Sequence, residues 1–168
     1  SHMSVMFAYA LYSRGYVREG FSAIEPIWRL VLDSEKSRIY PGIPEYFAPD
    51  GRGMYPYLTG SAAWMMLCVV QGMFGVRGEN GALYLRPQLL PEQFDVRNRT
   101  SIILKFGGRT FKIVYTLLER LEPSEYTIVK AELDNMPIAD GRILPSEMEA
   151  LDKEKIHIVE AWLGRKVQ

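Results

Sequence analysis

The sequence predicts an α+β fold: a helical first half followed by a small antiparallel β-sandwich, jelly-roll-like in character. Three observations carry this. Before about Gly78 the apolar residues recur at helical spacing or on every side. After it their period drops to two. Between two alternating runs lies Gly107-Gly108, a two-residue hairpin turn. The chain divides accordingly into 4–78 and 79–168, with Ser1-His2-Met3 set aside as an expression remnant.

The first expected helix covers Val5 to Tyr12, apolar on nearly every side and so a buried helix rather than a surface one. Gly15 and Gly20 then interrupt the pattern. Ser22 and Glu25 have capping-box spacing, and Ile24, Ile27, Trp28 and Val31 continue at helical intervals to about Asp33. Pro26 must then lie in the first turn or mark a kink. From Lys36 to Leu58 comes a loop rich in proline, glycine and tyrosine. Structureless loops of that length are uncommon in compact domains and tend to carry function. A third helix, Ser61 to about Phe74, is again apolar all round, and Gly72 and Gly75 end it. Two helices apolar on all faces cannot both be covered by one further helix and a small sheet. The expected cover is further polypeptide of the same protein, such as upstream barrel helices; a homo-oligomer is the alternative.

In the second half, Ile102, Leu104 and Phe106 alternate with Ser101, Ile103 and Lys105, and Phe111, Ile113 and Tyr115 return after the turn. Further strands are expected at Ala82–Leu85, Tyr126–Leu133 and Ile156–Leu163, with turns at Asp134-Asn135 and Asp140-Gly141. Trp28, Trp64 and Trp162 lie in apolar patterns and read as core. His157 reads as a surface or sheet-packing residue, and Arg109 and Lys112 as solvated charges.

Composition excludes several functions. Twenty basic and twenty acidic residues cancel, which leaves no electrostatic footprint for nucleic acid or an anionic membrane. No apolar run approaches the roughly 18 residues of a membrane span, and no signal peptide is visible. Cys68 has no partner cysteine and His157 is the only histidine beyond the leader. No internal disulfide, histidine triad or metal cluster is therefore expected, and a cytoplasmic location is the natural expectation.

The stretch with most chemistry is Tyr57 to Trp64. Thr59 and Gly60 at the mouth of a helix offer a hydroxyl, free backbone N–H groups and the positive end of the helix dipole, a combination suited to phosphate. The same residues also fit a plain N-cap, which stabilises a helix by about 1 kcal/mol. Both readings stand on the residues alone. Glu45 and Arg52 lie in the preceding loop, as solvated charges or as contacts to sugar or phosphate. Tyr40, Tyr46, Tyr55 and Tyr57 could stack on pyranose rings or pack in the core.

The run YPGIPEYFAPDGRGMYPYLTGSAAW (Tyr40 to Trp64) resembles the inverting glycoside phosphorylases of glycoside hydrolase family 94. The likeness is to the cellodextrin and cellobiose phosphorylase type, which shares a region with cyclic β-1,2-glucan synthases. LYSRGYVREG (Leu11 to Gly20) and MFGVRGENGALYLRPQLLPEQFD (Met73 to Asp95) fit the same pattern, so the likeness covers more than half the chain. The resemblance implies the last helices of an (α/α)6 barrel followed by a C-terminal β-domain. It also implies attack of phosphate on a β-glucoside with inversion, one aspartic acid protonating the leaving oxygen and α-glucose 1-phosphate being released. Phosphate as nucleophile removes the need for the second carboxylate that activates water in inverting hydrolases. In the family, the threonine-glycine pair helps to hold that phosphate, and it falls on Thr59 and Gly60.

The chain departs from the family's pattern in three ways. The family's catalytic aspartate lies upstream, and none of Asp33, Asp50 or Asp95 takes its place. Its phosphate-holding histidine would fall at or before the first residue, and the role is not carried onto His2. The loop before Gly51 is shorter than in the cellobiose and chitobiose enzymes, and a glutamine near phosphate has no match. The expectation is thus the C-terminal part of a β-glucan or cello-oligosaccharide phosphorylase, inactive by itself, with no catalytic residue and no cofactor beyond phosphate as co-substrate. Alternatives are a non-catalytic carbohydrate-binding or scaffold domain, or part of a cyclic β-1,2-glucan synthase.

Overall fold

The computed structural model describes residues 1–39, 42–57 and 59–165. It separates into two compact units, Ser1–Met73 and Phe74–Gln168.

The first unit is built on α1 (His2–Ser13), α2 (Val17–Leu32), the short α3 (Ser34–Ser37) and α4 (Gly60–Leu67), which runs on into a π-helical turn, Cys68–Met73. Val5, Ala8 and Tyr12 are the buried residues of α1. The Tyr12 ring is the pivot. A Cβ on Gly20 of α2 would lie 2.9 Å from it, and one on Gly72 of the π turn 3.0 Å, so both positions need glycine for the helices to close on the ring. This corrects the expected break between Gly15 and Gly20. α2 begins at Val17 and passes through Gly20, and the Ser22–Glu25 spacing lies inside the helix rather than at its start. Pro26 also sits in the helix interior. It cannot donate to the Ser22 carbonyl, but both residues are exposed, so water can take the freed acceptor.

The apolar helices are only partly covered within this unit. Phe7 of α1 and Met66 of α4 remain 61% and 63% exposed, and Met3 of the leader 75%. Among the described residues no helix is long and apolar enough to cross a membrane.

The loop expected from Lys36 to Leu58 is more ordered than a structureless connection. It contains the end of α3 and a two-stranded ribbon, β1 (Tyr46–Phe47) paired antiparallel with β2 (Gly53–Met54). The Asp50 carboxylate accepts the Arg52 N–H at 3.0 Å, and Gly51 takes φ +88° to turn the ribbon.

The second unit holds two sheets. β3 (Val76–Glu79), β4 (Ala82–Leu85) and β9 (Arg142–Ile143) form an antiparallel sheet in that order. The larger sheet contains β5 (Arg99–Phe106), β6 (Arg109–Leu117), β7 (Tyr126–Leu133), β8 (Met136–Pro137) and β10 (Ile156–Arg165), in the order β5-β6-β10-β7-β8. A short helix, α5 (Pro145–Ala150), precedes β10. The β5–β6 hairpin turns at Gly107-Gly108 as expected, and Asp134-Asn135 turn β7 into β8 with φ +49° and +67°.

An all-antiparallel sandwich does not describe this unit. β10 pairs antiparallel with β7 and parallel with β6. Geometry requires it: β6 and β7 run in opposite directions, so any strand placed between them must be parallel to one. The core lies on one side of this sheet, where Phe111, Ile113, Tyr115, Leu117, Val159 and Leu163 are at most 2% exposed. The Tyr126 hydroxyl accepts the Leu89 N–H at 2.7 Å and donates to the Leu89 carbonyl at 3.0 Å, pinning the segment after β4. Trp28, Trp64 and Trp162, expected in the core, are all half-buried. For two of them a cation on the ring shows why: Arg29 lies over Trp28 at 5.3 Å and Lys130 over Trp162 at 4.5 Å.

Candidate functional site at the mouth of α4

Thr59 is the N-cap of α4. Its Oγ1 accepts the Ala62 N–H at 3.0 Å and donates to the Ile43 carbonyl at 2.6 Å, so one hydroxyl both starts the helix and anchors the preceding loop. Gly60 and Ser61 open the first turn, and their N–H groups face the side chain of Glu45. The Glu45 Oε2 accepts the Ser61 N–H at 3.2 Å, and the Ser61 hydroxyl donates to the Glu45 carbonyl at 3.1 Å. The second carboxylate oxygen meets Nδ1 of His2, whose own backbone N–H donates to the Glu45 carbonyl. The imidazole lies over Gly60, where any side chain would collide with it.

Burial works to raise the Glu45 carboxyl. The Ser61 N–H, the His2 ring and the Gly60 N–H outweigh it, and the group is held below the ordinary carboxylate value. The mouth of α4 is therefore occupied by an anion of the same chain, the Glu45 carboxylate.

Of the sequence candidates, Thr59, Gly60 and Glu45 come together here. Arg52 does not join them: it lies in the β1–β2 turn, where its carbonyl accepts the Ala48 N–H at 2.8 Å and its side chain is exposed. Tyr46, Tyr55 and Tyr57 are 44%, 71% and 82% exposed in this chain. The Tyr46 and Tyr55 rings face each other across the ribbon, 6.0 Å apart. Tyr40 lies outside the described residues. His2, set aside with the leader and not given the family's histidine role, is also placed at the mouth of α4, its Nδ1 at the Glu45 carboxylate.

The three aspartates nearest to chemistry in sequence all serve the backbone. Asp33 accepts the Lys36 N–H, Asp50 that of Arg52, and Asp95 those of Arg97 and Arg99. For Asp95, the Arg99 and Arg97 N–H bonds outweigh burial and hold its carboxyl below the usual range. Cys68 is buried, with its thiol pushed up to about 11 by burial, which is the setting of an inert thiol. Among the described residues no group of three or more histidine, cysteine or acidic side chains is placed to hold a metal ion.

Comparison with known proteins gives one informative relative. Over 125 residues the chain is 25% identical to a cellobionic acid phosphorylase of Neurospora crassa, with 67% of this chain and 15% of that protein covered. The similarity is distant, and it is to a carbohydrate phosphorylase. The chain thus spans about a seventh of the length of the curated relative it matches. A solved glycosyl hydrolase of the gh92 family overlaps 73% of this chain and 14% of its own, at 15% identity and a TM-score of 0.34, too low to argue from. No family model matches the chain.

Proposed function

We propose that this chain is the C-terminal part of a carbohydrate-active enzyme of the glycoside phosphorylase type, in which the mouth of α4 helps to hold inorganic phosphate. One observation carries the reading: the Ser61 and Gly60 N–H groups hold the Glu45 carboxylate at the helix start. A phosphate oxygen needs the same donors, and the His2 ring over Gly60 moves aside with Glu45 for it to reach them. Phosphate entry displaces Glu45 from Ser61, and the Thr59 cap keeps the first turn formed while the exchange takes place.

The distant likeness to a cellobionic acid phosphorylase supports a glycoside as the other substrate. The exposed Tyr46, Tyr55 and Tyr57 rings, on the loop that leads into the mouth, supply faces that suit the apolar side of a pyranose. The helices that carry the exposed Phe7 and Met66 are read as the last helices of an (α/α)6 barrel, their cover coming from the remainder of the enzyme. Asp33, Asp50 and Asp95 are each engaged by backbone N–H groups, which supports a general acid located on other parts of the protein. The chain alone is accordingly inactive.

The test is a titration of the isotope-labelled chain with inorganic phosphate, read by amide NMR. Saturable shifts at Gly60, Ser61 and Ala62 are expected, with tighter binding in Glu45→Gln, which removes the competing charge. Amides that stay still in both proteins overturn the phosphate reading.

A further inference from the structure

The outer face of the five-stranded sheet carries a hollow of about 270 Å³, well away in sequence from the mouth of α4. Pair registers fix its plan. Across the sheet run two adjacent rows: Ile103, Lys112 and Ile158, then Ser101, Val114, Glu160 and Glu132. Val114 is short, and the Lys112, Arg99 and Glu160 side chains around it are long, so the sheet dips at Val114. Val114, 6% exposed, lies at its base, and Ile158, 46% exposed, makes an apolar flank. The Asp134-Asn135 turn closes one end.

The walls are polar but nearly neutral as a set. Arg99 Nη2 pairs with Glu160 at 3.0 Å, Lys130 with Glu132 at 2.7 Å, and Asp134 with the ring of His157 at 2.6 Å. The hollow therefore offers many donors and acceptors without the excess charge that would select an ion. An apolar base and flank among such walls match a ligand with a C–H face and a rim of hydroxyls. Its volume, just under the usual range of roughly 300–1,000 Å³ for small-molecule sites, suits one ring rather than a long chain.

We infer that this hollow is a secondary binding site for a neutral sugar unit, distinct from the mouth of α4. Hydroxyls donate to the Glu132 and Glu160 carboxylates and accept from Lys112 and Arg99, while the ring's C–H face rests on Val114 and Ile158. The choice of a sugar among neutral polyhydroxyl ligands rests on the functional reading above; the position and the neutrality of the ligand rest on the hollow alone.

The test is an amide NMR titration of the 168-residue chain with cellobiose, run in parallel with glucuronate and glucosamine. Saturable shifts are expected at Lys112, Asn135, Ile158 and Glu160. Lys112→Met and Glu132→Gln should each weaken binding by about tenfold, the scale of one hydrogen bond to a charged group. Lys112 is exposed and Glu132 half-buried, and circular dichroism checks that both variants fold. Absent shifts, shifts confined to residues 43–62, variants that bind as tightly as the parent, or a charged sugar preferred over cellobiose each overturn the site. The phosphate titration reports on the mouth of α4 separately, so the failure of either is distinguishable from that of the other.

Discussion

Glu45 and Ser61 hold each other at two points: the carboxylate of Glu45 accepts the Ser61 N–H at 3.2 Å, and the Ser61 hydroxyl donates back to the Glu45 carbonyl at 3.1 Å. The loop before α4 is thereby tied to the first turn of the helix through groups that an incoming anion would also use.

Acid should loosen this tie. The Glu45 carboxyl is held below its ordinary 4.5, so its contribution is fully present above that value and is lost as pH falls through the lowered folded value. Hydrogen exchange at the Ser61 amide, corrected for its intrinsic pH dependence, should quicken several-fold below pH 4, with little change between pH 5 and 7. Glu45→Gln should show no such step.

Thr59→Val removes the cap hydroxyl while keeping its bulk. The Ala62 N–H and the Ile43 carbonyl both lose a partner, and a cost of about 1 to 2 kcal/mol is expected in chemical denaturation. Thr59→Ser keeps the oxygen and should recover most of it.

His157 is a buried imidazole with two acceptors. Its Nδ1 meets the Asp134 carboxylate at 2.6 Å and its Nε2 the Asp152 carbonyl at 2.7 Å, so the doubly protonated ring satisfies both. Burial pulls its pKa down, but the bonds to Asp134 and Asp152 outweigh it and the net shift is upward from 6.5. The stabilisation is thus complete below about pH 6.5 and disappears as pH rises through the folded value. The urea midpoint of the second unit should decline from pH 6 to 9, and His157→Gln, with about 2 kcal/mol less stability at pH 6, should flatten that slope.

Two glycines in the second unit separate strain from collision. Gly108 has φ +75° with nothing within 4 Å, so Gly108→Ala should cost only about 1 kcal/mol of backbone strain. Gly75 has φ +65°, and a Cβ there would run into the Arg86 backbone, which cannot move aside because its N–H donates to the Gly75 carbonyl at 2.9 Å. Gly75→Ala should cost on the order of 3 kcal/mol, measured by thermal unfolding.

What the sequence could show was local. The β5–β6 hairpin was legible because alternation and Gly107-Gly108 both report on neighbours in the chain. The start of α2 was not, because Gly20 looks like a breaker until the Tyr12 ring that requires it is known. Nor was the ribbon of β1 and β2, two residues each, too short to show a period. At the candidate site Thr59 and Gly60 stood out by type and spacing. Glu45 was visible as a loop charge, but its role as the anion at the helix mouth depends on a contact 16 residues away. His157 hid both of its partners, since Asp134 reaches it only across the β7–β10 pairing.

The position of β10 has a consequence for how the protein is made. The strand that joins β6 to β7 is the last of its sheet to leave the ribosome, so the β5–β6 and β7–β8 hairpins must wait, each with a bare edge, until it arrives. Nascent chains halted before Ile156 should accordingly be the ones that chaperones retain, and release should come only once that final strand has emerged.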